Sequence, residues 1–267
     1  MDIVRRALQE DGAFRDVTSP IVGNHAARAG FLAKQDLVLC GMEQAAETFR
    51  LVGARFSPGA RDGQKLKRGA IFATVSGRAR RILSGERTAL NFLQQLSGVA
   101  TITRRFADLA RPAKVYDTRK TTPGLRALEK HAVRSGGGHN HRMGLHDGVL
   151  IKDNHIAALG DLDALREEVQ GFAQRGLPVV IEAQTLGEAL LFATFPVRVL
   201  MLDNFSVAQL RRAVPRIRTF SPGLEIEASG GVTLGTVRAI ARTGVDRVSV
   251  GALTHSAPAV DISLEFE

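Results

Sequence analysis

From residue 113 onward the chain repeats one pattern. A short apolar run rich in β-branched residues ends in a polar residue; a turn follows, then a stretch with amphipathic helical spacing. The runs are AKVYDT (113–118), GVLIKD (148–153), PVVIEA (178–183), RVLMLD (198–203), LEIEAS (224–229) and DRVSVG (246–251). The stretches between them include GDLDALREEVQGFAQRG, TLGEALLFATF, SVAQLRRAV and TLGTVRAIARTG. Strands separated by helices predict right-handed crossovers and a parallel sheet. Six such units with near-continuous apolar strands predict a closed or nearly closed α/β barrel, with a doubly wound open sheet as the alternative.

The first hundred residues lack this rhythm. A helical pattern, IVRRALQED, comes first, and strand-like pieces lie near AGFLAKQDLVLCG and AIFATVSGRARR, split by the helical MEQAAETFRLVGA. This arrangement predicts an α+β domain with a largely antiparallel sheet. A long helical region follows, RILSGERTALNFLQQLSGVATITRRFADLA. The closing VDISLEFE alternates apolar and polar residues, as a strand returning to the first sheet would. The expected division is an N-terminal domain of residues 1–99, rejoined by 260–267, and a catalytic barrel of 100–255.

Composition narrows the class. Of the 267 residues, 44% are hydrophobic and 24% charged, as in soluble globular domains. The start, MDIVRRALQEDGAF, has no apolar signal-peptide core. No apolar run approaches the roughly 20 residues that span a bilayer. The single cysteine, Cys40, excludes an internal disulfide and a cysteine-rich metal site. Cytoplasm is the expected location. The net charge of +9 suits nucleic acid, an acidic membrane or small anions. No Trp, a single Tyr and the lack of a nucleic-acid-binding motif argue against the first.

Much of the cationic charge is concentrated in DTRKTTPGLRALEKHAVRSGGGHNHR (117–142). Arg119, Lys120, Arg126, Lys130, Arg134 and Arg142 stand there against only Asp117 and Glu129. The strand ends add to it: Lys152 after VLI, Glu182 after VVI, Asp203 after VLML, then Ser229, Gly230 and Gly231, and Gly251. In a βα barrel these ends open onto one face, where active sites sit. Ser229, Gly230 and Gly231 precede a helical pattern beginning near Thr233, which fits a phosphate cradle. Glu182 and Asp203 have three readings: ion-pair partners of Lys152 and Arg142, the acid–base pair of a glycosidase, or holders of Mg²⁺ beside a phosphate. The surrounding cations favour the last. His139 and His141, with His131, His146 and His155 nearby, lack the ligand spacing of a familiar zinc motif, and a hydrogen bond from His141 to an anionic substrate is the better reading. Arg87 borders the apolar stripe Leu83, Ala89, Leu90, Leu93 and Leu96, where by itself it reads as a snorkelling cation or an ion-pair partner near Glu86.

Taken in order, SGERTALNFLQQLSG, DTRKTTPGLRALEKHAV, GGGHNHRMGLHDGVLIKDNH, EAQTLGEA, MLDNF, EASGGV and SVGALTHS resemble the quinolinate phosphoribosyltransferases, also called nicotinate-nucleotide pyrophosphorylases (carboxylating). The resemblance spans nearly the whole chain and is weakest over the first 60 residues. It implies an N-terminal α/β sandwich domain and an incomplete parallel α/β barrel of about six or seven strands. It also implies a homodimer, with room for a higher oligomer, whose active sites are shared across the interface. By matching motifs, Arg119, Lys120, His141, Arg142 and Lys152 look like the quinolinate-binding group, Thr118 like a further substrate-binding residue, and Arg87 like an arginine delivered by the partner. Glu182 and Asp203 resemble the carboxylates that handle the ribose hydroxyls and Mg²⁺ of phosphoribosyl pyrophosphate. Ser229, Gly230, Gly231 and Gly251 resemble the cradle of its 5-phosphate, Val250 and Ala252 are further substrate-binding candidates, and Lys120, Lys152, Glu182 and Asp203 stand as the catalytic set. A molybdenum-associated branch of the same fold, with an unknown acceptor, is the alternative. There the GLHDGVLIKDNH block is altered, notably at the lysine; here it is intact.

Overall fold

The computed structural model describes residues 3–267. It falls into two compact units. One comprises the chain up to Arg104 together with Ala127–Gly137 and Ser256–Glu267; the other comprises Arg105–Arg126 and Gly138–His255.

The first unit is built on an antiparallel sheet. Strand β1 (Ala26–Ala33) pairs with β5 (Ile71–Arg78), and β5 with β3 (Arg55–Pro58). The last strand, β12 (Ile262–Phe266), pairs with the other edge of β1. A two-stranded ribbon of β2 (Leu37–Val38) and β4 (Lys65–Leu66) stands apart. Helix α1 (Ile3–Glu10) buries Val4 and Leu8, and α2 (Met42–Val52) buries a face that includes Ala45, Phe49 and Val52. Phe31 of β1 is the hub of the core, with ring centroids 5.8 Å from Phe49, 5.8 Å from Phe56 and 5.9 Å from Phe72. Burying each such ring is worth about 1.5–3 kcal/mol.

Helix α3 (Ala79–Ala110) runs for 32 residues. Its apolar stripe includes Ile82, Ala89, Leu90, Leu93 and Leu96; Leu83, expected in that stripe, is only half-buried. Helix α4 (Arg126–Ser135) has residues 127–137 grouped with the first unit, although the sequence reading places them in the barrel. The cause is close backbone packing. A Cβ on Gly136 would lie 2.4 Å from the Ala100 carbonyl oxygen and 2.6 Å from Thr103 Cβ. The returning C-terminal chain also grips α3: a Cβ on Gly98 would lie 2.2 Å from the Pro258 carbonyl oxygen.

The second unit carries six parallel strands: β6 (Lys114–Tyr116), β7 (Val149–Ile151), β8 (Val179–Ala183), β9 (Val199–Asp203), β10 (Glu225–Ser229) and β11 (Arg247–Ser249). Their order is β6-β11-β10-β9-β8-β7, so the barrel stays open between β6 and β7. His139 partly fills the gap by a parallel bridge to Tyr116. The helices after β7, β8 and β9 are α5 (Asp153–Leu159) with α6 (Leu162–Gln174), α7 (Leu186–Phe192) and α8 (Val207–Phe220). Asp161, Thr185 and Ser206 cap α6, α7 and α8 through side-chain oxygens that accept backbone N–H bonds. Short α9 (Val237–Ala241) and α10 (Ala252–His255) complete the unit. Among the described residues, no helix is long and apolar enough to cross a membrane.

Candidate functional site

Side chains alternate in direction along a strand, so every second residue of a barrel strand faces inward. In β8 these are Val180 and Glu182; in β9 they are Val199, Met201 and Asp203. The intervening Ile181, Leu200 and Leu202 are fully buried in the opposite direction. The inward set surrounds a cavity of about 580 Å³. Thr118, Arg119, Lys120, His141, Arg142, Lys152, Glu182, Asp203 and Ser229 all line it, so residues from six segments meet in one hollow of the second unit.

The charges inside are paired unevenly. Lys152 Nζ lies 2.9 Å from Glu182 Oε1. Burial raises the Glu182 carboxyl above its ordinary value; the Lys152 bond and charge lower it, and the Asp203 charge raises it again. Arg142 donates from Nη1 to the Gly148 carbonyl at 2.8 Å. Its guanidinium is held below the usual value by burial and by the neighbouring Arg119 charge. The Nε atoms of both Arg119 and Arg142 are buried and have no hydrogen-bond partner among the described residues. Two like charges with unspent donors suit an anion carrying more than one acceptor group.

His141 is differently employed. Its backbone N–H donates to Asp117 Oδ1 at 2.8 Å. Its Nε2 lies 2.7 Å from Glu227 Oε1 and 2.8 Å from Ser249 Oγ, and Ser249 Oγ also bonds Glu227. Nε2 therefore faces Glu227 and Ser249, while His141 still lines the cavity. Tyr116 stacks on His139 with centroids 5.2 Å apart, and Arg247 lies 4.8 Å over the Tyr116 ring. The deeper layer formed by Tyr116, Glu227, Arg247 and Ser249 escaped the sequence reading, which examined only strand ends. Its signal is present in the period-two polar residues of LEIEAS and DRVSVG.

The remaining candidates are not among the lining residues. Gly230, Gly231, Val250, Gly251 and Ala252 do not line the cavity. Gly230 has φ 94°, and a Cβ there would lie 2.1 Å from Asn204 Oδ1. Glycine at that turn is thus required by the close approach of the loop after β9. The following helix, α9, begins at Val237, not near Thr233, so its N-terminus does not directly follow the glycines. Gly251 lets Lys120 pass: a Cβ would meet Lys120 Cδ at 3.2 Å. Of the cations in 117–142, Arg126 instead holds its own loop, donating to Thr121 Oγ1 and to the Met143 carbonyl, both at 2.9 Å. Lys130 is buried in the first unit and Arg134 is exposed. Arg87, exposed on α3, belongs to the first unit and does not line the cavity.

Two family models match the chain: "Quinolinate phosphoribosyl transferase, N-terminal domain" over residues 15–97 and "Quinolinate phosphoribosyl transferase, C-terminal domain" over 99–265. The chain belongs to the quinolinate phosphoribosyltransferase family. Membership brings the family's activity, quinolinate phosphoribosyl transfer in de novo NAD biosynthesis. A nicotinate-nucleotide pyrophosphorylase (carboxylating) of Mycobacterium leprae is 41% identical over 278 residues, covering 99% of this chain and 96% of that protein. A Nicotiana glauca quinolinate phosphoribosyltransferase (decarboxylating) is 40% identical over 290 residues, covering 99% of this chain and 81% of the relative. Among solved structures, the nicotinate-nucleotide pyrophosphorylase of Francisella tularensis superposes with a TM-score of 0.91 at 36% identity, covering 99% of this chain and 95% of that one. The N-terminal antiparallel domain and the six-stranded open barrel are the fold of this family.

Proposed function

We propose that the barrel cavity holds quinolinate and 5-phosphoribosyl 1-pyrophosphate together and converts them to nicotinate mononucleotide, CO₂ and pyrophosphate. The observation that supports this most directly is the meeting of Arg119, Lys120, Arg142 and Lys152 with Glu182 and Asp203 in one cavity. Quinolinate brings two carboxylates and its co-substrate three phosphoryl groups. Without this cationic set the two anions would repel each other in a partly enclosed hollow.

Arg119 and Arg142 take the quinolinate carboxylates. His141, fixed by Glu227 and Ser249, is a wall that sets their position. The pyridine nitrogen attacks C1 of the ribose as the C1–O bond to pyrophosphate breaks. Glu182 and Asp203 stabilise the positive charge that develops on the sugar, and Lys120 and Lys152 receive the departing pyrophosphate. The alkylated ring nitrogen then accepts the electron pair released when the C2 carboxylate leaves as CO₂, and the resulting carbanion takes a proton. Ser229, Gly230 and Gly231, at the end of β10, take the 5-phosphate together with Val250, Gly251 and Ala252, which follow the neighbouring β11, and Thr118 on the cavity wall is a further substrate contact.

The donor set fits Mg²⁺, since two carboxylates, Glu182 and Asp203, lie close enough for one charge to raise the other's pKa. Mg²⁺ takes one or two carboxylates plus phosphate oxygens and water. When bound it would neutralise charge on the pyrophosphate. We further infer a homodimer in which Arg87 comes from the partner subunit, and a cytoplasmic enzyme acting on small molecules, with no nucleic-acid or membrane partner. The decisive assay supplies quinolinate, phosphoribosyl pyrophosphate and Mg²⁺. Release of CO₂ and pyrophosphate is expected in wild type, and Arg142→Ala should raise the quinolinate KM at least about tenfold, the loss of one charge-assisted hydrogen bond. Wild-type kinetics in that variant would remove Arg142 from its role.

A further inference from the structure

Far from the catalytic carboxylates in sequence, three segments of the first unit bring together a second group of chemically distinct side chains. Cys40 lies in the connection between β2 and α2, Asp62 in the turn between β3 and β4, and His131 on α4. Cys40 Sγ lies 3.6 Å from Asp62 Oδ2, and His131 Nε2 lies 2.9 Å from the same oxygen. All three atoms lie within 4.8 Å of one another. This is the only such group of three histidine, cysteine or carboxylate ligands among the described residues.

From this convergence we propose that Cys40, Asp62 and His131 form a binding site for a single divalent transition-metal ion of the zinc class. The Cys40–Asp62 separation of 3.6 Å is that of two ligands around a tetrahedral ion, and the His131–Asp62 separation of 2.9 Å is shorter. Bond lengths of about 2.3 Å to sulfur and 2.0–2.2 Å to nitrogen and oxygen place ligand atoms roughly 3.3–3.6 Å apart. The cluster needs only a small outward movement of the imidazole to open to that size. One thiolate, one imidazole and one carboxylate also favour zinc or cobalt over Mg²⁺, which takes oxygen ligands.

The surroundings are already set. Asp62 Oδ1 accepts the Met42 backbone N–H at 3.2 Å, which orients Oδ2 toward the other two ligands. Ser135 Oγ stands 3.7 Å from Cys40 Sγ, one helical turn along α4 from His131, where it or a water can complete four-coordination. The thiol is buried, while the His131 side chain is 45% exposed and the Asp62 side chain 20% exposed, so an ion can enter from the histidine side. Binding displaces the proton of the Cys40 thiol, which burial and the Asp62 charge push up to about 12 in the metal-free protein, and ties α4 to the β3–β4 turn and to the start of α2.

Cobalt(II) titration of the chelator-treated full chain tests the site, because a thiolate bound to Co²⁺ gives a near-ultraviolet charge-transfer band that an all-oxygen site cannot. The expected result is saturation of that band at one Co²⁺ per chain, displacement by Zn²⁺, and a melting temperature raised by Zn²⁺. His131→Ala, at an exposed position, should weaken binding at least about tenfold, as even loss of an outer-shell partner does. Cys40→Ala should abolish the band while leaving any Co²⁺ at Glu182 and Asp203 untouched. No charge-transfer band in the wild type, or a band unchanged by His131→Ala, would overturn the proposal. Neither result bears on quinolinate turnover, which is assayed with Mg²⁺ alone.

Discussion

Glu182 is placed among opposing influences, and its titration is therefore informative. Burial is the largest of them and raises the carboxyl, the Lys152 contact lowers it, and Asp203 raises it. Removing the cation should move the midpoint up, and removing the like charge should move it down. In ¹³C spectra of the Glu182 carboxyl, Lys152→Met should titrate at higher pH than wild type and Asp203→Asn at lower pH. A shift of both variants in one direction would mean that the three groups do not share a field. Arg119 and Arg142 make the complementary case. Each keeps a buried, unpartnered Nε, and their charges oppose each other. Without ligand this arrangement costs stability, as binding sites often do. Arg119→Met should therefore stabilise the ligand-free protein by about 0.5–2 kcal/mol in urea denaturation. The same variant should lose the stabilisation that quinolinate gives wild type. If it destabilises the ligand-free protein, Arg119 is a structural residue.

At the scale of elements, the barrel strands were legible because burial on both faces writes a continuous apolar run, and the run must end where the chain leaves the core. Lys152, Glu182 and Asp203 stand at those ends and line the cavity. Helix α4 was not legible. Its Glu129 and Lys130 are buried, so a polar pattern conceals an inward face, and the Arg-rich stretch reads as one anion cluster when only part of it lines the cavity. The deeper ring of Glu227, Arg247 and Ser249 was missed for a related reason: polar residues alternating within a strand read as a solvated face, whereas in a barrel that face is the interior. The docking of α4 itself depends on Gly136. Gly136→Val would push into the Ala100 carbonyl and Thr103, backbone and β-branched groups that have little room to move. The expected cost is about 1–3 kcal/mol, read from chemical denaturation. A neutral effect would mean that α4 can shift on α3 without loss.

For the whole molecule, the question is how a complete site is assembled. Residues of the second unit alone line the cavity, Arg119, Lys120, Arg142 and Lys152 among them. Arg87 is exposed on α3 in the first unit, at the edge of a buried stripe, where a purely structural role gives a long cation little to do. If a second copy of the chain brings Arg87 to the barrel mouth, each site needs two subunits, and damage to one contributor can be rescued by the other. Arg87→Ala and Lys152→Ala homodimers should each be inactive. Mixed under conditions that exchange subunits, they form hybrids in which one of the two sites draws an intact Arg87 from one chain and an intact Lys152 from the other. Random pairing of equal amounts makes half the dimers hybrids, each with one good site, so activity should recover to about a quarter of wild type, as expected for a closed two-fold assembly. Subunit exchange is followed independently by mass spectrometry of isotopically labelled chains. Confirmed exchange with no recovered turnover would place Arg87 and Lys152 in the same chain's site, or Arg87 in none.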